Sequence, residues 1–344
     1  MRRKRIYLFF ICLFVLCALP ISASASEENA EESIVITTES IDNIIADEIS
    51  SYSDLISEHI NADSVEVSNV FPIYRGDNYN AFQVFLFDDD ECFGFLTLSC
   101  DAGDVYTSVT FDDLDIIDAY LEQNAFFYVC LYQDENQSTE ELTYQIGDAG
   151  NSGSELHLRT IDLVTNQPLA NYSHINVSLN VARVANGTVN GTGICWAASV
   201  AAVANYRNGT NYTAQDIYDA MDDMYLGTPA GNTTWYNRAF SYVGLHCSSE
   251  SGGVSYSAVN HELSDGNPAI FSVKSTASGV QHAIVCKSIK GYTNGLKYGF
   301  MDPNHSGTTY SALISDASNP DNFVYTSPGG TVYNSWLYFR YSII

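Results

Sequence analysis

Gly193-Ile194-Cys195-Trp196-Ala197-Ala198-Ser199 places a cysteine directly after a glycine-bearing loop and at the head of a run of small residues. Cys195 to Tyr206 reads as a helix, closed by Asn208-Gly209, a pair suited to a helix C-terminus. The first N–H groups of a helix are unsatisfied, and the macrodipole concentrates partial positive charge there. A thiolate is stabilised at such a point, which makes the cysteine a nucleophile near neutral pH. Downstream, Gln281-His282-Ala283-Ile284-Val285 sets an imidazole at the start of a strand, and Met301-Asp302-Pro303-Asn304 follows at the end of the next one.

Thiolate chemistry needs an imidazole to hold the sulfur as an ion pair and later to protonate a leaving group. It also needs a polar group to fix the imidazole tautomer, and donors for an oxyanion. In that scheme Cys195 is the nucleophile, His282 the base and Asp302 the orienting group. Asn304 stays open as the alternative orienter by hydrogen bonding. The competing reading of Cys195 is a buried small hydrophobe, against which Trp196 and the helix entry weigh. Asp302-Pro303-Asn304 is also well suited to a plain turn. The other histidines, His246 and His305 among them, have surface or packing roles by default.

Around this stretch the chain divides. Residues 1–25 have the form of a secretory signal peptide: basic Met1 to Arg5, apolar Ile6 to Ala18 and the small-residue site Ala23-Ser24-Ala25. Secretion is expected, with no stable membrane anchor. From Ser26 to Asn180 there are 31 acidic residues against Arg75 and Arg159 alone; from Val181 to Ile344 there are 10 acidic and 8 basic. A chain this acidic is not expected to bind nucleic acid or anionic lipid by electrostatics. The unevenness points to two segments with different tasks.

The first segment, 26–170, predicts a small α+β domain. It has an amphipathic helix over Asp42 to Ile60, strands at Val65 to Tyr74, Ala81 to Phe87, Cys92 to Leu98 and Val105 to Phe111, a helix around Leu114 to Leu121, and a strand at Phe126 to Tyr132. The second, 175–344, predicts helices at Cys195 to Tyr206, Thr213 to Met221, Thr234 to Val243 and Ser257 to Ser264. Strands at Ala269 to Lys274, His282 to Ile289, Leu296 to Met301 and Trp336 to Ile343 follow. Helices first and antiparallel strands afterwards predict an α+β domain of two lobes, helical and sheet, with a cleft between.

Six cysteines remain beyond the signal segment. Cys92 and Cys100 lie too far apart along one strand to pair, and a Cys247–Cys286 bridge is open. No cysteines and histidines have zinc-ligand spacing, so no metal or other cofactor is expected.

The two motifs, in this order, resemble the papain-like cysteine peptidases, over about Ile175 to Ile344. The 87-residue gap from Cys195 to His282 is similar to that of compact bacterial members such as staphopain and streptopain, and the Asp-Pro after the histidine is similar to the papain-like fold of leader-processing peptidases. The resemblance implies an endopeptidase acting on protein or peptide through a thioester acyl-enzyme. It also implies an oxyanion glutamine shortly before the nucleophile. That position is Val189 here, and the nearest amide is Asn190. Asn334-Ser335-Trp336 is similar to a family tripeptide in which the Asn orients the histidine. Secreted members are commonly made as zymogens, so the acidic segment is expected to act as a propeptide that covers the cleft, in a monomer. Two alternatives stay open: a thiol acyltransferase or cell-wall amidase of similar layout, and an inactive binding or adhesion protein on the same scaffold.

Overall fold

The computed structural model describes residues 38–341 and 343, except 76–77, 90, 102–103, 113–125, 134–138, 147–157, 164–171, 173–174, 191, 226–228, 230, 293–294, 312 and 315–318. The expected signal peptide, the helix around Leu114 to Leu121 and most of the boundary between the two segments lie outside the described residues. No described helix is long and apolar enough to cross a membrane.

Helices α1 (Thr38–Ser51) and α2 (Ser53–Ile60) precede strands β1 (Ser64–Val67), β2 (Phe71–Arg75), β3 (Asn78–Asp88), β4 (Glu91–Asp101), β5 (Asp104–Phe111), β6 (Phe126–Gln133), β7 (Thr139–Ile146) and β8 (Arg159–Asp162). Short strands β9 (Asn176–Ser178), β10 (Thr188–Val189) and β11 (Thr192–Gly193) lead into α3 (Cys195–Asn208), α4 (Ala214–Met224) and α5 (Thr233–Tyr242). Next come β12 (Ser248–Ser251) and α6 (Tyr256–Ser264). The chain ends in β13 (Ala269–Lys274), β14 (Gln281–Tyr292), β15 (Gly295–Met301), β16 (Thr308–Tyr310), β17 (Tyr325–Thr326), β18 (Val332–Tyr333) and β19 (Ser335–Tyr341). The architecture is mixed, six described helices with a predominantly antiparallel sheet, and is compatible with a papain-like fold.

Local chemistry accounts for the helices. Every residue of α3 from Cys195 to Ala204 is buried, because its small side chains let α4, α5 and β14 pack against it on all sides. Trp196 is the large exception, and its ring packs against Tyr218 and Tyr236. The helix stops at Gly209, whose φ of 65° suits a residue without a Cβ. A capping box opens α4: the Asp216 N–H donates to Thr213 Oγ1, and the Thr213 N–H donates back to the Asp216 carboxylate.

Long-range contacts correct two expectations. The single helix expected over Asp42 to Ile60 breaks at Tyr52, whose backbone leaves the helical region. That turn sends the Tyr52 side chain inward, where its hydroxyl donates to Thr107 O at 2.9 Å and its ring lies 3.2 Å from the buried Lys297 ammonium. Lys297 Nζ in turn donates to Ser51 O. Cys247 and Cys286 are both free thiols; Cys286 is fully buried in the sheet core, so the bridge left open between them is not formed.

The sheet does not stop at the boundary between the acidic segment and the rest. Its order is β12-β19-β13-β14-β15-β16-β5-β4-β3-β2-β7-β6. The joint is β16 on β5, with Thr308, Thr309 and Tyr310 opposite Phe111, Thr110 and Val109. One hydrophobic cluster accordingly combines Phe71, Phe85 and Phe95 with Phe271, Ile284, Phe300 and Trp336. At its centre Phe271 packs against the rings of Tyr298, Phe300, Phe323, Trp336 and Phe339. Phe271→Ala should therefore cost about 3–5 kcal/mol of stability in guanidinium unfolding, as a shift in midpoint; a loss below about 1 kcal/mol would contradict this packing.

Candidate active site

The β10–β11 hairpin delivers the chain to α3. Thr188 and Val189 pair with Gly193 and Thr192, and the Ile194 N–H donates to Gly187 O at 2.9 Å. Cys195 is thus the first residue of α3, buried among the helices, with no acidic residue in the first turn to oppose an anion there. The Ser199 hydroxyl donates to Ala283 O at 3.3 Å and ties this helix to the strand that carries His282.

His282 is the second residue of β14, and Asp302 follows the last residue of β15. The β14–β15 register sets Val285 opposite Met301, so the two side chains emerge side by side beyond the paired portion. His282 Nε2–H donates to Asp302 Oδ1 at 2.7 Å, with both side chains essentially without exposure. Cys195 is an electrostatic neighbour of the same ring, and with Nε2 engaged by Asp302 the remaining ring nitrogen, Nδ1, is buried. Burial opposes charge on the imidazole, but the Asp302 carboxylate and then Cys195 outweigh it, and the pKa is pushed up to about 10. Burial likewise opposes charge on Asp302. The imidazole, His305 and the Tyr325 hydroxyl prevail, and hold its carboxyl well below the usual range. The pair is a buried imidazolium–carboxylate.

Three of the anticipated residues, Cys195, His282 and Asp302, are therefore brought together. Asn304 takes a different part: its backbone N–H donates to Asp302 Oδ1 at 2.8 Å, while its side-chain oxygen accepts from Asn186 Nδ2 at 2.9 Å. The imidazole is held by Asp302, and Asn304 braces the carboxylate. Asn190 lies at the exposed tip of the β10–β11 hairpin, two paired positions from Gly193, with a left-handed backbone at φ 53°. Asn334 accepts through Oδ1 from the backbone and hydroxyl of Thr276, and Trp336 stacks on Phe271 at 4.1 Å.

Two tyrosines were not anticipated. The Tyr325 hydroxyl donates to Asp302 Oδ2 at 2.7 Å, and the Tyr333 ring stacks on His282 at 5.7 Å between centroids. They are opposite one another on β17 and β18, 23° from parallel. With 24 tyrosines in the chain, nothing in their sequence context marks these two. His305 also proves to be buried beside Asp302.

The shifts set a pH dependence. Asp302 has a depressed folded pKa, so its contribution to stability is present above the unfolded value of about 4 and is lost as pH falls. His282 has a raised one, so its contribution is full below about 6.5 and is lost as pH rises through about 10. The stability difference between wild type and Asp302→Asn, from denaturant titrations, should be largest between about pH 4 and 6.5 and shrink on both sides. A difference independent of pH would contradict the charged pair.

Residues 171–315 match the family described as papain-like cysteine protease AvrRpt2. The matched stretch contains Cys195, His282 and Asp302 and ends before Tyr325 and Tyr333. No curated protein matches the chain. The family match supports a papain-like cysteine peptidase, a hydrolase of the thiol-protease type.

Proposed function

We propose that this chain is a secreted cysteine endopeptidase, made in a latent form, with Cys195, His282 and Asp302 as its catalytic residues. The observation that carries the reading is the buried His282–Asp302 pair set against a cysteine at a helix N-terminus. The Cys195 thiolate attacks the scissile carbonyl carbon, and the developing oxyanion lies toward the N–H groups that open α3. The C–N bond breaks as the His282 imidazolium gives its proton to the departing amine, leaving a thioester. Neutral His282 then takes a proton from water, the hydroxide displaces the thiolate, and the acid product leaves. Asp302 holds the imidazole tautomer throughout and offsets its charge.

Latency has structural support in the acidic segment. The β15 pairing of β14 begins only at Val285, and at Gln281, next to the base, β14 is bridged by Gln133 of β6. The β6–β7 hairpin also lies against β11, just before the nucleophile. One hairpin of the acidic segment therefore reaches both sides of the Cys195–His282 pair, where an extended peptide has to be presented. Residues 1–25 direct secretion in this reading, and Ser26 begins the exported chain.

The test is reaction of the secreted protein with an epoxide-type thiol reagent, read by mass spectrometry. Cys195 is expected to carry the label in wild type, far less in His282→Ala and none in Cys195→Ala. Peptide hydrolysis should fall about 10,000-fold or more in Cys195→Ala and about 100- to 10,000-fold in Asp302→Asn. A folded protein left unlabelled even after its β6–β7 hairpin is cut away, with β1 to β5 retained, would overturn the peptidase reading and leave a binding scaffold. A labelled enzyme that cleaves only wall peptides or transfers acyl groups would replace it with an amidase or acyltransferase.

A further inference from the structure

The turn that joins β17 to β18 is buried: Ser327, Pro328, Gly329 and Gly330 are all inside the protein. Turns run over the surface because their backbone polar groups need partners, so a buried one requires donors built for it. Two come from the acidic segment. Gln83 on β3 is fully buried, and its Nε2 donates to Pro328 O at 3.0 Å. Ser99 on β4 is buried as well, and its hydroxyl donates to Gly330 O at 2.9 Å. Both are buried polar side chains, with Thr97 and Ser108 buried beside Gln83 across the strands, and burial of a polar group is costly unless its hydrogen bond is made.

The same hairpin carries Tyr325 and Tyr333. The Tyr325 hydroxyl holds Asp302 Oδ2, and the Tyr333 ring covers His282. The turn itself is stiff, since Ser327 N–H donates to Thr331 O, Gly330 N–H donates to Ser327 O, and Thr331 N–H donates to Ser327 Oγ. A displacement of its tip is therefore passed along two short strands to both tyrosines.

We propose that Gln83 and Ser99 are positioning residues for the Cys195–His282–Asp302 site, acting through the β17–β18 hairpin. The acidic segment is thus a working part of the enzyme as well as its cover. The inference rests on the catalytic assignment above. It also separates two functions within the acidic segment: β6 and β7 have to yield for substrate to enter, whereas β3 and β4 have to stay. Activation that discards the whole segment would release the tyrosines with it.

The test uses the full chain with Gln83→Met, which keeps the shape and removes the donor, and with Ser99→Ala. Val84→Ala, on the neighbouring position of β3 in a different hydrophobic cluster, is the control for general loosening. Two readouts are taken: the NMR titration of the His282 ring, and the pH profile of Cys195 alkylation by iodoacetamide. Both donor variants should lower the His282 titration midpoint by about one pH unit, a tenfold change in proton affinity, and slow alkylation roughly 10- to 100-fold near neutral pH. Val84→Ala should leave both at wild-type values. His282 titration and alkylation unchanged in the donor variants, or changed equally in Val84→Ala, would overturn the proposal. If Gln83→Met fails to fold, Ser99→Ala decides. Wild type that shows no alkylation at Cys195 while His282 still responds to Ser99→Ala would refute the catalytic reading and leave the positioning intact.

Discussion

Asp302 is a carboxylate with no solvent exposure. An isolated charge in that position is strongly unfavourable, and it persists only where a counter-charge and several donors converge. His282 supplies the charge, and the Asn304 N–H and the Tyr325 hydroxyl supply the donors. Each belongs to a different piece of chain, so each piece is constrained. The β14–β15 register has to end where it does, the turn after Asp302 has to fold back, and the β17–β18 hairpin has to be buried. The turn is braced in its own right: Pro303 O accepts from the Asn186 N–H and from Arg183 Nε. The loop that leads to Cys195 is thereby tied to the turn that follows Asp302.

The charge asymmetry of the chain takes on a second meaning in this light. Three of the four lysines after Val181 lie on β14 and β15, and all three meet the acidic segment. Lys290 pairs with Glu58. Burial pushes the Lys287 ammonium down, while Asp112 acts in the opposite direction. Lys297 is wholly buried against Tyr52 and Tyr292, and burial pushes it well below its ordinary range despite Glu48 and Asp54. Three of the eight cations of the second segment thus stand where the anions of the first arrive. Together with the β5–β16 joint and the shared core, they bind the two segments as neighbours within one sheet.

How far the site was legible depends on the range of each interaction. Cys195 at a helix start, the Thr213–Asp216 box and the stop at Gly209 are local, and the residue types within one turn state them. His282 and Asp302 stand 20 residues apart on adjacent antiparallel strands, a distance that a hairpin bridges automatically. Tyr325 and Tyr333 are different. Their roles follow from a hairpin folded under strands β3 and β4, more than 200 residues earlier in the chain. No periodicity or spacing encodes such a contact. Nor does anything near Tyr52 announce a break in its helix, because the groups that draw it inward, Thr107 and Lys297, come from distant strands.

By itself the sequence determined the elements that close on themselves. These are the helix that presents Cys195, the strands that present His282 and Asp302, the mixed helix and antiparallel-sheet class, and the acidic character of the first segment. Only the tertiary structure decided that the acidic segment's strands continue the sheet that carries His282, that Tyr325 and Tyr333 meet Asp302 and His282, and that Gln83 and Ser99 hold the turn between those two tyrosines. The physical reason is the same in each case. Local propensity and periodicity act over a few residues, whereas the demand that every buried charge and carbonyl find a partner is met by whichever chain the fold brings near.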